Sequence, residues 1–208
     1  GDTEMAIDYF NQTVEVNPQY DKGWFSLGLN YQKNGDINEA LSSLDKAIEV
    51  NPSYAKAIAQ KGKIYMQEAD FELAENSFNQ AIQVDPSYVS AYIDLGQILN
   101  AQERWDEAYN SLSTATALDA SKNKAWFLLA QSQNAKGSCD EANESSRVAL
   151  DLKSDYAPAF FELGLSEVCL GNKTAALAAF ENARKNRTWR KNAEYEIDKI
   201  KNPEKYQQ

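Results

Sequence analysis

A 34-residue period runs through the chain and leaves few folds open to it. Stepping forward by that period from Trp24, one column holds Trp24, Ile58, Tyr92, Trp126 and Phe160. Three residues on stand Leu27, Lys61, Leu95, Leu129 and Leu163, followed at once by Gly28, Gly62, Gly96, Ala130 and Gly164. A later column is alanine throughout: Ala6, Ala40, Ala74, Ala108, Ala142 and Ala176. Beyond it come Phe10, Leu44, Phe78, Leu112, Ser146 and Phe180, then Thr13, Ala47, Ala81, Ala115, Ala149 and Ala183, and then Pro18, Pro52 and Pro86. Within each unit the apolar positions recur at three and four, the spacing of one helix face. The glycine and alanine columns keep side chains short where two helices must approach. Gly35 and Gly137 suit the turn between the two helices of a unit. Asn51-Pro52 and Asp85-Pro86 end the second helix, because the residue before proline avoids the α region.

Composition narrows function more than fold. The 208 residues carry a formal net charge of −10 and no histidine. The first disfavours nucleic acid and anionic lipid; the second removes the commonest general base and metal ligand. Cys139 and Cys169 alone cannot make a structural zinc site, and the isolated glycines form no phosphate-cradling loop. No catalytic residue, metal site or cofactor is expected. No apolar run is long enough to cross a bilayer, and no signal peptide follows Gly1; the compartment stays open.

Trp24, Leu27, Gly28, Tyr31, Ala40, Leu44 and Pro52 match the pattern W-x-x-L-G-x-x-Y … A-x-x-x-F … P, and the chain resembles the tetratricopeptide repeat family. The resemblance implies an all-α, right-handed α-solenoid of stacked helix-turn-helix units in a single array. The units fall at 21–54, 55–88, 89–122, 123–156 and 157–190, with residues 1–20 as the second helix of a half repeat and 191–208 as capping helix and tail. The cap begins near Trp189, whose face continues with Ala193, Ile197 and Ile200; Asn202-Pro203 stops it, and the tail to Gln208 is expected to fray. Ala120, Ser154, Gln133, Glu167, Ser146 and Lys61 depart from the pattern and are expected at looser or exposed positions, unless a partner covers them.

The family's first helices line a concave wall. By resemblance that wall holds Lys22, Phe25, Leu29 and Lys33; Lys56, Lys63 and Met66; Ile93, Gln97 and Asn100; Lys124, Phe127, Gln131 and Asn134; and Phe161 and Leu165. Its charges are lysines, whereas second helices carry acids such as Glu39, Glu72, Glu107 and Glu141. The functional reading is a groove for a protein or peptide with apolar anchors and some acidic character. The plainer reading packs Phe25, Phe127 and Phe161 on neighbouring helices and leaves the lysines solvated. The Lys and Asn residues by which some members clamp a C-terminal carboxylate are missing: their places hold Phe25, Leu29, Gln60, Ser90 and Asp94.

Ile7, Phe10 and Val14 share a face on the first helix, part of which would meet an upstream helix or a second copy, giving self-association. Cys139 and Cys169 fall on neighbouring antiparallel helices, either as a disulfide, which implies a periplasmic or secretory compartment, or as two small buried thiols. Arg184, Lys185, Arg187, Arg190 and Lys191 surround Trp189 and suit a helix C-terminus. The expected function is a non-catalytic interaction scaffold. The alternatives are a docking fragment of a larger enzyme and a self-assembling scaffold stacking end to end.

Overall fold

The computed structural model describes residues 1–206, and the expectation of a frayed end at 207–208 lies outside them. Among the described residues there are twelve α-helices and no strand. The chain divides into two compact units between Ile98 and Leu99.

The first unit opens with α1 (Asp2–Val16). Two helix pairs follow, α2 (Asp21–Asn34) with α3 (Ile37–Val50) and α4 (Ala55–Gln67) with α5 (Phe71–Val84). The residues of α6 (Val89–Ala101) fall on both sides of the division. The second unit holds α7 (Trp105–Leu118), then the pairs α8 (Asn123–Ala135) with α9 (Cys139–Leu152) and α10 (Ala157–Cys169) with α11 (Lys173–Arg184). It closes with α12 (Arg190–Lys201) and a 3-10 turn, Pro203–Lys205.

Short side chains bring each pair together. A Cβ on Gly28 would lie 2.9 Å from Leu44, one on Gly62 would lie 2.8 Å from Phe78, and one on Gly164 would be closer still to Phe180. The alanine column from Ala40 to Ala176 has no exposed surface, and Leu44, Phe78 and Phe180 have none either. These large side chains fill the space that each missing Cβ leaves, at the close packing of protein interiors. In the first unit Phe25, Leu44 and Ile64 share one cluster, and Ile7, Val14 and Leu27 share another. In the second, α12 lays Ala193 and Ile197 on Ala176, Phe180 and Ala183 of α11. That contact covers apolar surface of α11.

The turns repeat as faithfully as the helices. Asn17, Asn51, Asp85 and Asp119 each accept, through a side-chain oxygen, the backbone N–H two residues on. The Asp119 turn forms without proline, so Ala120 costs the turn little. Its carboxyl is held down to about 2, first by the Ser121 hydroxyl and then by Lys122. Trp24 and Trp126 donate their indole N–H to the carbonyls of Pro18 and Ala120 at 2.9 and 2.8 Å. Each aromatic is half-buried and satisfies its one polar atom. The turn inside each helix pair takes the left-handed conformation at Gly35, Gly137 and Gly171, and equally at Ala69 and Glu103.

The departures from the repeat pattern correct one expectation. Ala120 and Ser154 are exposed, but Gln133, Glu167 and Ser146 are buried. Glu167 replaces the aromatic by an ion pair, accepting from Arg147 at 2.8 Å and from Asn172 at 2.9 Å. Ser146 has no exposed surface and its hydroxyl has no hydrogen-bond partner. It stands in register with Ala130, the one alanine of the glycine column, whose methyl takes up room a larger side chain would need. Lys61 on α4 pairs with Asp45 on α3, joining one helix pair to the next, which explains a lysine in a leucine column.

The face expected to be free on α1 is also revised. Ile7 and Val14 are buried against α2, while Met5, Tyr9 and Val16 are the exposed apolar side chains of that helix.

Candidate functional site

In the first unit the wall of first helices is largely closed by its own contacts. Phe25 is buried, its ring 5.2 Å from that of Tyr54, with the Lys56 ammonium 5.1 Å from the ring centre. Ile93 is buried as well, and Leu29 and Met66 are half-buried. Gln32 accepts from Gln60 at 2.6 Å and donates to Gln67 at 2.8 Å, which ties α2 to α4. Lys63 is 3.4 Å from Asp94, a carboxylate with only 6 % of its surface exposed. Of the expected lysines here, Lys22, Lys33 and Lys56 stand exposed, Lys56 against the Phe25 ring, and Lys63 is half-buried. Gln97 is half-buried and its side-chain oxygen, buried, has no partner.

The second unit offers a more open arrangement. Asn100 donates to the Leu128 carbonyl at 2.9 Å and to Gln131 at 3.1 Å. One repeat later, Asn134 donates to the Glu162 carbonyl and to its carboxylate, both at 2.9 Å. The two asparagines therefore use their N–H groups in the same way, bridging one first helix to the next. Their side-chain oxygens are buried and have no partner, a state that is costly unless something supplies a donor. Lys124 is half-buried at the start of α8.

A cavity of about 390 Å³ opens on this wall, lined by Gln131, Asn134, Phe161, Glu162, Leu165 and Trp105. Four of these six residues were expected on the wall; Glu162 and Trp105 were not. Glu162 is 2 % exposed, and burial pushes its carboxyl up to about 7, against the lowering effect of the Asn134 hydrogen bond. Its signal in the sequence is a carboxylate immediately before the leucine column, a place that Asp94 also occupies.

Phe127 and Phe161 are brought together by a residue that the repeat pattern does not contain. The Trp189 ring lies 5.0 Å from Phe161 and 6.4 Å from Phe127, and Tyr156 meets Phe127 edge-on at 5.6 Å. Trp189 was expected on the face of α12; it is instead the residue before that helix, turned onto the wall. The basic residues around it finish a helix end. Arg184 pairs with Glu181 at 2.6 Å, and Arg190 reaches the Arg184 carbonyl at 3.5 Å.

Cys139 begins α9 and Cys169 ends α10, with their Cα atoms 5.9 Å apart, inside the range a disulfide requires. Cys169 is exposed, which sets aside the reading of two buried thiols. Among the described residues no cluster of metal-ligating side chains occurs, and no helix is long and apolar enough to cross a membrane.

Family models described as tetratricopeptide repeat match residues 22–54 and 65–132. The chain is built of tetratricopeptide repeats. Among solved structures, YrrB superposes with a TM-score of 0.75 at 21 % identity, over 91 % of this chain and 100 % of that one. MamA from Desulfovibrio magneticus RS-1 does so with 0.70 at 18 % identity, over 79 % and 93 %. PilF from Pseudomonas aeruginosa also gives 0.70, at 22 % identity, over 79 % and 75 %. At these identities the likeness is one of fold, the tetratricopeptide α-solenoid. No curated protein sequence matches the chain significantly. Tetratricopeptide repeats generally mediate protein–protein interaction and are generally non-catalytic.

Proposed function

We propose that the chain is a non-catalytic scaffold that captures a protein or peptide on its first-helix walls, with the wall of the second unit as the principal site. The observation that carries this reading is the cavity between α8 and α10. There, apolar Phe161 and Leu165 stand beside Gln131 and Asn134, whose polar groups are fixed by hydrogen bonds. An apolar floor with a few oriented polar groups is the usual make-up of a recognition pocket. YrrB, which shares the fold, is described as having an unusual peptide-binding site, and peptide capture is carried over here as part of the proposal. Phe25 and Ile93 serve packing in the first unit, where exposed Lys22 and Lys33 are left to attract acidic segments of a partner.

The test begins with capture from a lysate by the whole chain, identification of the bound protein by mass spectrometry, and calorimetric titration with that protein purified. Leu165→Arg places a charge on the apolar floor from a half-buried position. A loss of affinity of about tenfold or more, with the melting curve retained, supports the reading. Unchanged affinity overturns it.

A second reading, self-association through α1, is favoured by Tyr9 and Val16, which are 65 % and 87 % exposed and line a shallow surface cavity with Tyr20. Light scattering over a range of concentrations tests it: a mass that stays that of one chain excludes it.

A further inference from the structure

Asp94 and Glu162 occupy the same repeat position two periods apart, and each is buried. Only one of them has a cation. In the first unit Asp94 is paired with Lys63 at 3.4 Å. The residue that holds the place of Lys63 two periods later is Gln131, so the second unit lacks the lysine that would neutralise Glu162. Among the described residues no ion pair forms on Glu162; its partner is the Asn134 amide. A carboxyl left in this way avoids ionising, in keeping with its rise to about 7.

The place left by the missing lysine borders a cavity, which Gln131 and Glu162 both line. The cavity of about 390 Å³ lies in the range of small-ligand sites, roughly 300–1,000 Å³. Three of its lining residues carry acceptors: the Glu162 carboxylate, the Asn134 oxygen, which is buried without a partner, and the Gln131 oxygen. Three acceptors match the three donors of an ammonium group. Phe161, Leu165 and Trp105 supply apolar and aromatic surface for a methylene stem and its charged end.

We propose that this cavity is a socket for a lysine side chain of the bound protein or peptide, whose ammonium takes on Glu162 the place that Lys63 takes on Asp94. The inference rests on the partner-capture reading and sharpens it. That reading asks only for a binding wall, whereas the socket demands one cation at one point on it. Basic character at this point stands beside the acidic character that the exposed lysines of the first unit favour elsewhere.

The test is a nuclear magnetic resonance titration of the whole chain with two capped tripeptides. One is acetyl-Leu-Lys-Leu-amide; the other carries Nε-acetyl-lysine, of similar length and without charge. The lysine peptide is expected to shift amides of 131–135 and 161–165 and to bind at least about tenfold more tightly than its acetylated form. Glu162→Gln removes the anion at constant shape and is expected to abolish the preference. Gln131→Lys rebuilds the arrangement of the first unit from within and is expected to block the site. Equal binding of the two peptides, a preference that survives Glu162→Gln, or no shift up to about 10 mM peptide overturns the proposal. If the captured partner still binds and Leu165→Arg still weakens it, the socket alone has failed and the capture reading stands.

Discussion

Ala130 and Ser146 break the repeat pattern at facing positions, and their coupling is measurable. In the other units the small residue is glycine and the residue sixteen positions on is Leu44, Phe78, Leu112 or Phe180. Contact is already tight there: an added Cβ would lie 2.9 Å from Leu44 and 2.8 Å from Phe78. Ser146→Leu alone sets a branched side chain against the Ala130 methyl, an overpacking that costs about 1–3 kcal/mol. This offsets the roughly 1.5–3 kcal/mol available from burying the leucine. Ala130→Gly alone loses about 1 kcal/mol of helix propensity and leaves a gap beside the unbonded Ser146 hydroxyl. Together the two changes recreate the Gly–Leu pair of Gly28 and Leu44, and the clash disappears. The double variant is therefore expected to be more stable than the sum of the single variants by about 1–3 kcal/mol. Urea unfolding of the four proteins, fitted with attention to stepwise loss of repeats, gives the coupling. Additivity within about 0.5 kcal/mol would refute the reasoning.

Three further outcomes follow from the same structure. Ala69→Gly and Glu103→Gly, at φ values of 61° and 59°, should each stabilise by about 0.5–1 kcal/mol, because relief of left-handed strain exceeds the added freedom of the unfolded chain. Thermal melting checks this, and a lowered midpoint for both would contradict it. Glu162 binds its proton more tightly folded, at about 7, than unfolded, near 4.5. Its contribution is thus full below pH 4.5 and is lost as pH rises through 7, roughly 3 kcal/mol in all. Glu162→Gln should flatten that part of the stability profile, and an unchanged slope between those pH values would count against it. Cys139 and Cys169 are expected to form a disulfide worth about 2–4 kcal/mol, so a thiol count in denaturant without reductant should find none.

Helices, turns and the tight pair contacts were legible in the sequence because they depend on residues at fixed spacing. The alanine column could be read as buried from its spacing, and from Ala40 to Ala176 it is, while Ala6 is half-buried. What the pattern could not show is compensation. Ser146 looks like a defect until Ala130 is placed opposite it, and Glu167 looks exposed until Arg147 is seen to reach it. Phe25 and Phe127 both sit at wall positions, but the first is closed over by Tyr54 and Lys56 and the second by Trp189. Those contacts come from residues outside the columns that define the repeat, so periodicity carries no information about them. Glu162 was passed over for a related reason. Its meaning lies in the absence of a lysine at Gln131, which appears only when two units are compared contact by contact.

Hydrogen exchange of the whole chain, with and without its captured partner, tests the central claim most directly. Added protection is expected at the backbone amides of α8 and α10, around Gln131–Ala135 and Phe161–Leu165, with α9 and α11 little changed. Protection confined to α9, α11 or α1 would place the partner elsewhere and contradict the account.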